Sequence, residues 1–478
     1  MPDPLTLRDE LGEALELAST AAREFLEGLD DDLVRDPRAD DVADAIGGPL
    51  HADGDGATRA LVELLDGLPA VTRSAGPRFF HFVTGGATPA ALAADWLATA
   101  FDQMNGVWIA SPLGARLEQV ALGWLRELFA LPADWGGVLT SGATMANFSA
   151  LAAARHWAGE QHGIDVERAG VTAMPPLPIL TSGYFHASGV KAVAMAGLGT
   201  GNIERLTSDP AGRLDVPGLE RKLKTLSGRP AILWATAGDV DTGDFDPLET
   251  MADLADEHGC WLHVDGAFGL FARASPELAP LAAGAERAHS VIADGHKWLN
   301  VPYDCGFAFV RDARYLGAAF GASAAYLPAG DDARPSYGFL GPEMSRRARS
   351  FAVWATLRAY GRAGYQALVE RHCALARRVA AQVSGAPDLE LLAEAKLNVI
   401  CFRAHPPGLD DEAALDRLNR ELADAIVADG RILYGPTVHA GKVAFRPAIS
   451  NWRTTETDAD LIVAVTRELL AERVAATV

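Results

Sequence analysis

The sequence predicts an α/β protein in which helices alternate with the strands of an open sheet. Residues 230–270 read as a strand, a helix and a second strand, with an Asp-Pro pair at the helix start and a His-Gly pair at its end. Residues 137–157 read as a short apolar strand, a turn of small residues and a long helix. Residues 290–311 place apolar strands on both sides of a polar segment. This alternation is typical of a sheet covered by helices.

Length and charge limit the size class and the partners of the protein. The chain has 478 residues, which is too many for one small core and predicts two or three domains. Its formal net charge of -21 argues against nucleic acid and anionic membranes as partners. The most apolar stretches are broken by Asp95, Asp102 or glycines, so no membrane span is predicted.

The cysteines and the N-terminal residues predict a cytoplasmic protein without a metal site. No Cys-x-x-Cys pair and no His/Cys cluster occurs, which argues against structural zinc and a disulfide framework and favours a reducing compartment. The first ten residues, MPDPLTLRDE, lack the apolar segment of a signal peptide. The four scattered cysteines are Cys260, Cys305, Cys373 and Cys401.

We divide the chain into an N-terminal helical arm (1–82), a large domain (83–360) and a small C-terminal α+β domain (361–478). In the arm, Thr6 is a predicted N-cap, and apolar residues such as Leu11 recur at helical spacing. An arm this thin cannot bury its apolar stripe alone. It either packs against a second subunit or folds back on its own chain as a helical hairpin.

Aromatic side chains cluster before the first predicted strand. Residues 77–89 read PRFFHFVTGGATP, and residues 105–112 read NGVWIASP. The commoner fate of aromatic residues such as Phe80, Phe82 and Trp108 is burial in the core.

The turn after the strand in residues 137–157 has the features of an anion site. Small residues there let a phosphate approach the backbone N–H groups of the following helix, whose dipole also favours an anion. Ser141 and Thr144 add hydroxyl groups, and the helix begins near Ala143. The alternative is a strand, turn and capped helix without a ligand.

Asp265 and Lys297 are charged residues that lie beside apolar predicted strands, where a charge is unusual. Asp265 ends an apolar strand, where open α/β sheets bind ligands, and a carboxylate there needs a cation unless it caps the next turn. Lys297 lies between two apolar strands, where burial would lower the pKa of its amine and make it a nucleophile. The alternative for Lys297 is an ordinary surface lysine at a strand end.

The stretch around Lys297 resembles the lysine site of the pyridoxal-phosphate (PLP) group II decarboxylases, the family of aromatic-amino-acid and glutamate decarboxylases. The segment HVDGAFG around Asp265 and the segment FHAS around His186 resemble two further motifs of that family. The resemblance extends from about Pro77 to the C-terminal helix. In the lysine site it rests on Ser290, His296, Lys297, Trp298, Asp304, Cys305 and Arg311.

The resemblance implies a fold type I PLP enzyme with a mostly parallel seven-stranded sheet and helices on both faces. It implies that Lys297 forms a Schiff base with PLP, that Asp265 pairs with the ring nitrogen, and that His186 stacks on the ring. It also implies a homodimer with the active site at the subunit interface. The implied cofactor-binding residues are Ala143, Thr144, His186, Asp239, Asp265, Ala267, Asp294, His296 and Lys297.

Two positions depart from the family pattern. Asp239 stands where the family often has a threonine, which leaves its contact with the cofactor open. Asp294 stands where aromatic decarboxylases tend to carry an asparagine near the phosphate. A carboxylate there would face an anion, so we expect another donor to hold it, such as the backbone at His296 and Lys297.

Residues 321–347 are rich in Gly, Pro and Asp, which predicts a mobile loop. Within it, Tyr337 matches the tyrosine of the family's catalytic loop, so the resemblance implies that Tyr337, together with His186, returns a proton to Cα after CO2 leaves. The alternative is a surface tyrosine without a role. The implied catalytic residues are Lys297, His186, Tyr337 and Asp265, and the implied substrate-binding residues are Phe82, Thr84, Trp108 and Arg446.

The sequence therefore predicts decarboxylation of an L-amino acid, with an aromatic substrate favoured by Phe80, Phe82 and Trp108. Arg446 either binds a carboxylate or forms a structural salt bridge. The alternatives are another PLP reaction on the same fold, such as transamination or carbon–sulfur cleavage, a small acidic or diamino acid substrate, or a binding protein without activity. Serine hydrolase and zinc peptidase motifs are absent.

Overall fold

The computed structural model describes residues 10–50, 52–322 and 334–477. The predicted cap at Thr6 and residues 323–333 of the predicted loop lie outside these ranges.

The large domain is built on a seven-stranded sheet in the order β1-β7-β6-β5-β4-β2-β3. Strands β2 to β6 pair in parallel, whereas β7 runs antiparallel to both of its neighbours. This confirms the predicted α/β fold with a mostly parallel seven-stranded sheet. The strands are β1 (Gly136–Thr140), β2 (Ile179–Thr181), β3 (Ile203–Arg205), β4 (Ile232–Thr236), β5 (Trp261–Asp265), β6 (Ser290–Asp294) and β7 (Gly306–Val310).

The register of the sheet brings the polar strand ends together at one edge. Thr236 pairs with Asp265 across β4 and β5, and Asp294 pairs with Gly306 across β6 and β7. Gly306 also pairs with Thr140, the last residue of β1. Because β1, β4, β5 and β6 all end at this edge, the segments that follow them converge there, as the sequence predicts for a ligand site.

Helices cover the sheet, and the N-terminal and C-terminal parts of the chain contain further helices. The core of the large domain consists of the strands and the apolar faces of the helices packed on them. The helices are α1 (Glu10–Glu27), α2 (Ala39–Ala45), α3 (Ala57–Asp66), α4 (Pro89–Ala100), α5 (Pro112–Leu128), α6 (Ala143–Gln161), α7 (Val166–Ala169), α8 (Ala187–Met195), α9 (Val216–Leu226), α10 (Leu248–His258), α11 (Arg314–Phe320), α12 (Ser350–Gly385), α13 (Glu412–Asp429) and α14 (Glu456–Thr477).

The C-terminal part has a sheet and an apolar core of its own. Its four strands are ordered β10-β11-β9-β8 and are β8 (Leu389–Leu391), β9 (Phe402–Ala404), β10 (Pro436–His439) and β11 (Lys442–Phe445). Helix α12 connects the two parts and is interrupted at Gly361, where the backbone φ is 58°. The predicted boundary between residues 360 and 361 falls at this interruption.

The N-terminal arm packs α1 against α3 but leaves much of its apolar surface exposed. The backbone N–H of Ala57, at the start of α3, donates a hydrogen bond to Glu10 Oε2 (3.1 Å). Leu11 and Leu15 on α1 are nevertheless 66% and 61% exposed, and α1 and α3 contain no buried residue. The arm is therefore a hairpin whose apolar stripe lacks cover within the described part of the chain.

None of the helices in the described residues is long and apolar enough to cross a membrane. Over the same ranges, no group of three or more His, Cys, Asp or Glu side chains is placed to hold a metal ion.

Candidate active site

A cavity of about 530 Å³ opens at the edge where the strand ends converge. It brings together eight of the residues that the sequence analysis singled out for the cofactor or the substrate. Its lining consists of Phe82, Ser141, Gly142, Ala143, Thr144, Met145, His186, Ser188, Lys191, Met195, Val240, Asp294, His296, Lys297, Tyr303, Asp304 and Arg446.

Lys297 lies in the turn after β6 with its amine directed at the cavity wall. Its Nζ is 3.3 Å from Asp294 Oδ2 and 5.8 Å from the centroid of the Phe268 ring. The side chain is only 16% exposed, so the amine is largely shielded from water without being sealed off. An amine in this position can be reached from the cavity and forms an ion pair with the carboxylate beside it.

Asp294 is held by a backbone donor, as expected, but that donor belongs to Ala143 and not to His296 or Lys297. Its Oδ1 accepts a 2.6 Å hydrogen bond from the Ala143 N–H, and its Oδ2 faces the Lys297 amine. The reason is that β6 ends beside the first turn of α6, whose N–H groups lack intrahelical acceptors. Asp294 thereby takes the N–H group of Ala143, one of the two residues, Ala143 and Thr144, that were predicted to hold the phosphate.

His296 also supports Asp294. The Cys305 N–H donates to His296 Nδ1 (3.2 Å), so the other nitrogen, Nε2, carries the hydrogen and lies 3.5 Å from Asp294 Oδ2. Burial lowers the pKa of His296, with the Lys297 charge acting in the same direction and Asp294 and Asp304 opposing it. The ring stacks on Tyr303 with centroids 4.1 Å apart, which orients both side chains.

The first turn of α6 forms a cradle that only small residues permit. Gly142 has φ of +148°, and a Cβ there would lie 3.0 Å from His296 Cε1. The N–H groups of Thr144 and Met145 have no acceptor in the first turn of the helix. Ser141 and Thr144 add hydroxyl groups at the same cavity wall. The donor set suits a phosphate, with Asp294 taking only the Ala143 N–H.

Asp265 is 5% exposed and is not itself a lining residue of the cavity. Its Oδ1 accepts from the Ala267 N–H (3.2 Å) and its Oδ2 from Asn147 Nδ2 (2.9 Å). The charges of Asp265 and Lys297 both act on His186, which does line the cavity. The acid and the amine therefore both lie within electrostatic range of the same histidine ring.

His186 caps α8 and presents its ring to the cavity. Its Nδ1 is 2.7 Å from Ser188 Oγ and accepts from the Ser188 N–H (3.2 Å). The residue is exposed and lines the cavity, with protein groups packed around the ring. This loss of hydration lowers the pKa of His186, Asp265 opposes the change, and Lys297 and Arg446 reinforce it. A neutral ring held at this edge suits stacking on a flat cofactor.

Asp239 belongs to its own loop instead of the cavity wall. Its Oδ2 accepts from the backbone N–H groups of Asp241 and Thr242 and from the Thr242 hydroxyl. Burial raises the pKa of Asp239 to about 6, and the nearby Asp241 acts in the same direction. Because these local bonds occupy the carboxylate, the structure gives no support to a direct cofactor contact by Asp239.

The structure does not bring Tyr337 into the cavity of its own chain. Tyr337 is 5% exposed, lies with its ring 5.8 Å from the Arg346 guanidinium carbon, and lines a separate cavity with Arg126 and Trp135. Burial raises the pKa of its hydroxyl, with Glu118 acting in the same direction. Within one chain, this position corrects the expectation that Tyr337 faces the substrate.

The predicted substrate residues divide between cavity and core. Phe82 lines the cavity and is 58% exposed, whereas Phe80 belongs to the core of the C-terminal part. Trp108 packs against the main core and does not line the cavity. Thr84 is buried, with its hydroxyl 3.2 Å from the Tyr303 hydroxyl.

Arg446 lines the cavity and also forms an ion pair, so its structural salt bridge is present, and carboxylate binding stays a prediction. Its Nε lies 3.4 Å from Asp241 Oδ1, an atom that also accepts from the Thr437 hydroxyl (2.6 Å). The guanidinium is therefore partly neutralised by protein while one side remains open to the cavity.

Three residues with a structural part in this site were missed by sequence reasoning: Tyr303, Asn147 and His263. Tyr303 follows Lys297 by only six residues in a segment already singled out, so its aromatic ring could have been noticed. Asn147 lies four residues into α6, and His263 lies two residues before Asp265 on the same face of β5. His263 is also the first residue of the segment HVDGAFG singled out above, so two signals pointed to it.

Comparison with known proteins gives the family. Residues 66–405 match the family model of the pyridoxal-dependent decarboxylase conserved domain. The chain belongs to this family. The amine, the acid and the anion cradle described above fit its cofactor, PLP, so the predicted family and cofactor are confirmed, and the enzyme is a PLP-dependent amino-acid carboxy-lyase.

Relatives of this decarboxylase cover most of its length. It is 30% identical over 410 residues to an aromatic-L-amino-acid decarboxylase of Bacillus atrophaeus (84% of this chain, 83% of the relative). It is 32% identical over 464 residues to the L-2,4-diaminobutyrate decarboxylase of Rhizobium meliloti (94% and 86%). The crystal structure of Oryza sativa TDC with PLP and tryptamine has the same fold, with a TM-score of 0.90, 24% identity and 99% coverage of both chains.

Proposed function

We propose that this decarboxylase converts an aromatic L-amino acid to its amine and CO2. The observation that carries the substrate class is the pair of exposed rings, Phe82 and Tyr303, on the cavity wall. Flat side chains of this kind favour an aromatic partner over a small polar one. The similarity to the aromatic-L-amino-acid decarboxylase supports the same class.

A small diamino acid is the second candidate. Asp304 lines the cavity and could receive a side-chain ammonium, although its Oδ1 also accepts from Arg349 Nε (2.8 Å). The similarity to the diaminobutyrate decarboxylase extends over more of this chain than the similarity to the aromatic enzyme. The two candidates therefore differ in which wall of the cavity the substrate side chain contacts.

The proposed roles of the residues follow from their positions. PLP, when bound, supplies an electron sink that lets a bond at the substrate Cα break. Lys297 provides the amine that holds the cofactor, and Asp265 accepts a hydrogen bond from the ring nitrogen. The first turn of α6 binds the phosphate, His186 stacks on the ring, and Arg446 is the cationic group that receives a substrate carboxylate.

The experiment is CO2 release from a panel of tyrosine, tryptophan, DOPA, glutamate, aspartate and 2,4-diaminobutyrate. We expect release from the aromatic substrates and its loss, together with the visible absorbance of bound PLP, in Lys297→Ala. Lys222→Ala, which removes a partly exposed lysine paired with Glu204, is the matched control and should keep both signals. Release from 2,4-diaminobutyrate alone would exclude the aromatic proposal.

We further propose that the enzyme is a homodimer in which Tyr337 serves the cavity of the partner subunit. Apolar side chains on α4 and the segment after it are exposed, and the Gly338 N–H donates to the Gly106 carbonyl oxygen in that segment (2.7 Å). Tyr337 thus lies beside a surface that a second copy would cover. The exposed apolar side chains there are Trp96, Leu97, Phe101, Met104, Ile109 and Leu113.

Mixing two variants that are each deficient in amine formation tests this arrangement. In a dimer of one Lys297→Ala chain and one Tyr337→Phe chain, one site regains both residues only if Tyr337 acts across the interface. Random mixing then restores about a quarter of the wild-type amine yield, because half of the dimers are hybrid and each has one working site. If confirmed hybrid dimers recover no amine formation, Tyr337 does not act in the cavity of the partner subunit. Tyr337→Phe by itself should shift the products from amine towards carbonyl compounds.

The cytoplasm is the proposed location. Cys260, Cys305, Cys373 and Cys401 are all free and buried, as suits a reducing compartment. Cell fractionation with an antibody to the enzyme tests this assignment.

A further inference from the structure

A chain of buried hydrogen bonds leads from Trp261 through Ser290, His263 and Asn147 to Asp265. Trp261 Nε1 is 2.9 Å from Ser290 Oγ, and Ser290 Oγ is 2.8 Å from His263 Nδ1. His263 Nε2 is 2.9 Å from Asn147 Oδ1, and Asn147 Nδ2 is 2.9 Å from Asp265 Oδ2. The chain thus ends on Asp265, the carboxylate that would pair with the ring nitrogen of PLP.

Strand geometry explains why these residues meet. Trp261, His263 and Asp265 occupy alternate positions of β5 and therefore point to the same face of the sheet. Ser290 is the register partner of His263 on β6. Helix α6 packs on this face and supplies Asn147, which bridges His263 and Asp265.

The donors of this chain have one consistent direction. The Trp261 indole can only donate, so Ser290 accepts from it, and the Asp265 carboxylate can only accept, so Asn147 donates to it and turns its oxygen to His263 Nε2. The Ser290 hydroxyl hydrogen is then left to bond His263 Nδ1. His263 Nδ1 is then an acceptor, which puts the ring hydrogen on Nε2 and aims it at Asn147 Oδ1. The Asn147 amide is thereby oriented with its NH2 group towards Asp265. Burial lowers the pKa of His263 to about 4, against the opposing charge of Asp265, so the ring is neutral at pH 7.

The orientation of Asn147 matters because its side chain is symmetric in shape but not in charge. If the amide were turned over, its oxygen would face the Asp265 carboxylate and both groups would lose a partner. Ser290, His263 and Asn147 are fully buried, so water cannot replace a missing donor. The Trp234 ring, centred 4.3 Å from that of His263, also restricts movement of the imidazole.

We propose that Asn147 and His263 are positioning residues that hold Asp265 as a correctly placed acceptor for the protonated ring nitrogen of PLP. Asn147 donates to one carboxylate oxygen and Ala267 to the other, which leaves the remaining lone pairs for the cofactor. His263 acts through Asn147 by setting the direction of its amide. The proposal concerns the cofactor and does not depend on which amino acid is the substrate.

Cofactor affinity measured with two ring systems tests the proposal. Cofactor-free enzyme is titrated with PLP and with its 1-deaza analogue, which carries a carbon in place of the ring nitrogen. We expect Asn147→Leu and His263→Leu to weaken PLP about tenfold or more, which is the loss of one hydrogen bond to a charged group, and to leave affinity for the deaza analogue unchanged. Equal losses for both cofactors, or none, would overturn the proposal.

Two further variants separate positioning from general damage. His263→Gln retains an N–H donor that can reach Asn147, so it should recover most of the PLP affinity that His263→Leu loses. Asn419→Leu removes an equally buried asparagine whose three hydrogen bonds lie in the C-terminal part, and it should spare both cofactor affinities. With 15N-labelled PLP bound, the ring-nitrogen chemical shift should move towards the unprotonated value in the two leucine variants. A shift identical to wild type would likewise contradict the proposal.

Discussion

Glu118 and Arg346 form a buried ion pair that anchors the segment after Tyr337. Arg346 Nη1 lies 2.9 Å from Glu118 Oε2, and both side chains are at most 2% exposed. Burial raises the pKa of Glu118, although Arg346 and the Leu139 N–H oppose that change. Asn105 Nδ2 completes the set of donors around the carboxylate (2.7 Å). The pair therefore couples α5, β1 and the segment before α12.

At the residue scale, Arg346→Met should destabilise the enzyme strongly, because it leaves the Glu118 carboxylate buried without its cation. We expect a loss of about 3–5 kcal/mol in the free energy of unfolding. Arg378→Met is the matched control, since it breaks an exposed pair with Asp460 and should cost less than about 1 kcal/mol. Urea unfolding of the cofactor-free proteins measures both, and similar losses would refute the distinction.

At the scale of elements, close approach of backbone at the edge of the sheet shapes the phosphate cradle. Gly306 begins β7 directly against the turn between β1 and α6. A Cβ on Gly306 would lie 2.6 Å from both Gly142 Cα and the Gly142 carbonyl carbon. These are backbone atoms of the turn, so they cannot rotate out of the way as a side chain would.

Gly306→Ala should therefore displace the first turn of α6 and weaken PLP binding as well as the fold. Gly317→Ala is the control, because Gly317 lies within α11 and a Cβ there meets nothing within 4 Å. Alanine at position 317 should stabilise the protein by about 0.5–1 kcal/mol through helix propensity and leave PLP affinity unchanged. Fluorescence titration with PLP and thermal unfolding distinguish the two variants; wild-type PLP affinity in Gly306→Ala would contradict this view of the cradle.

At the scale of the whole molecule, His372 ties the active-site turn to the helix that links the two parts. Trp298, the residue after Lys297, donates from Nε1 to His372 Nδ1 on α12 (2.9 Å). Both side chains are fully buried. Burial lowers the pKa of His372 to about 3, with the Arg371 charge acting in the same direction.

This histidine should make folding stability depend on pH. Because the pKa of His372 is depressed in the folded state, the unfolded chain binds the proton first, and stability is lost as the pH falls below about 6.5. His372→Asn keeps an acceptor for Trp298 without titrating. The free energy of unfolding of this variant should be lower than that of wild type, and the difference should narrow by about 2 kcal/mol between pH 7 and pH 5. Taking the difference cancels the contributions of the other titrating groups. Urea unfolding at both pH values measures this, and a constant deficit would show that the histidine is not neutral when folded.

The sequence predicted the α/β fold, the family, the cofactor and the decarboxylation, and all four are confirmed. The positions of Lys297, Asp265 and Thr144 could be predicted because each depends on a short local pattern: an apolar strand, the turn after it, and a polar residue at that turn. Local patterns work here because parallel strands bring their carboxyl ends to one edge, whatever the length of the connections.

Only the tertiary structure decided which groups satisfy those residues. The partner of Asp294 is Ala143, 151 residues away, and the partner of Asp265 is Asn147, 118 residues away. Such pairs depend on strand register and on how a helix packs across the sheet, and neither can be predicted from the neighbouring residues. The same reason explains Tyr337, whose sequence context suits a catalytic tyrosine but whose burial under Arg346 turns it away from the cavity of its own chain.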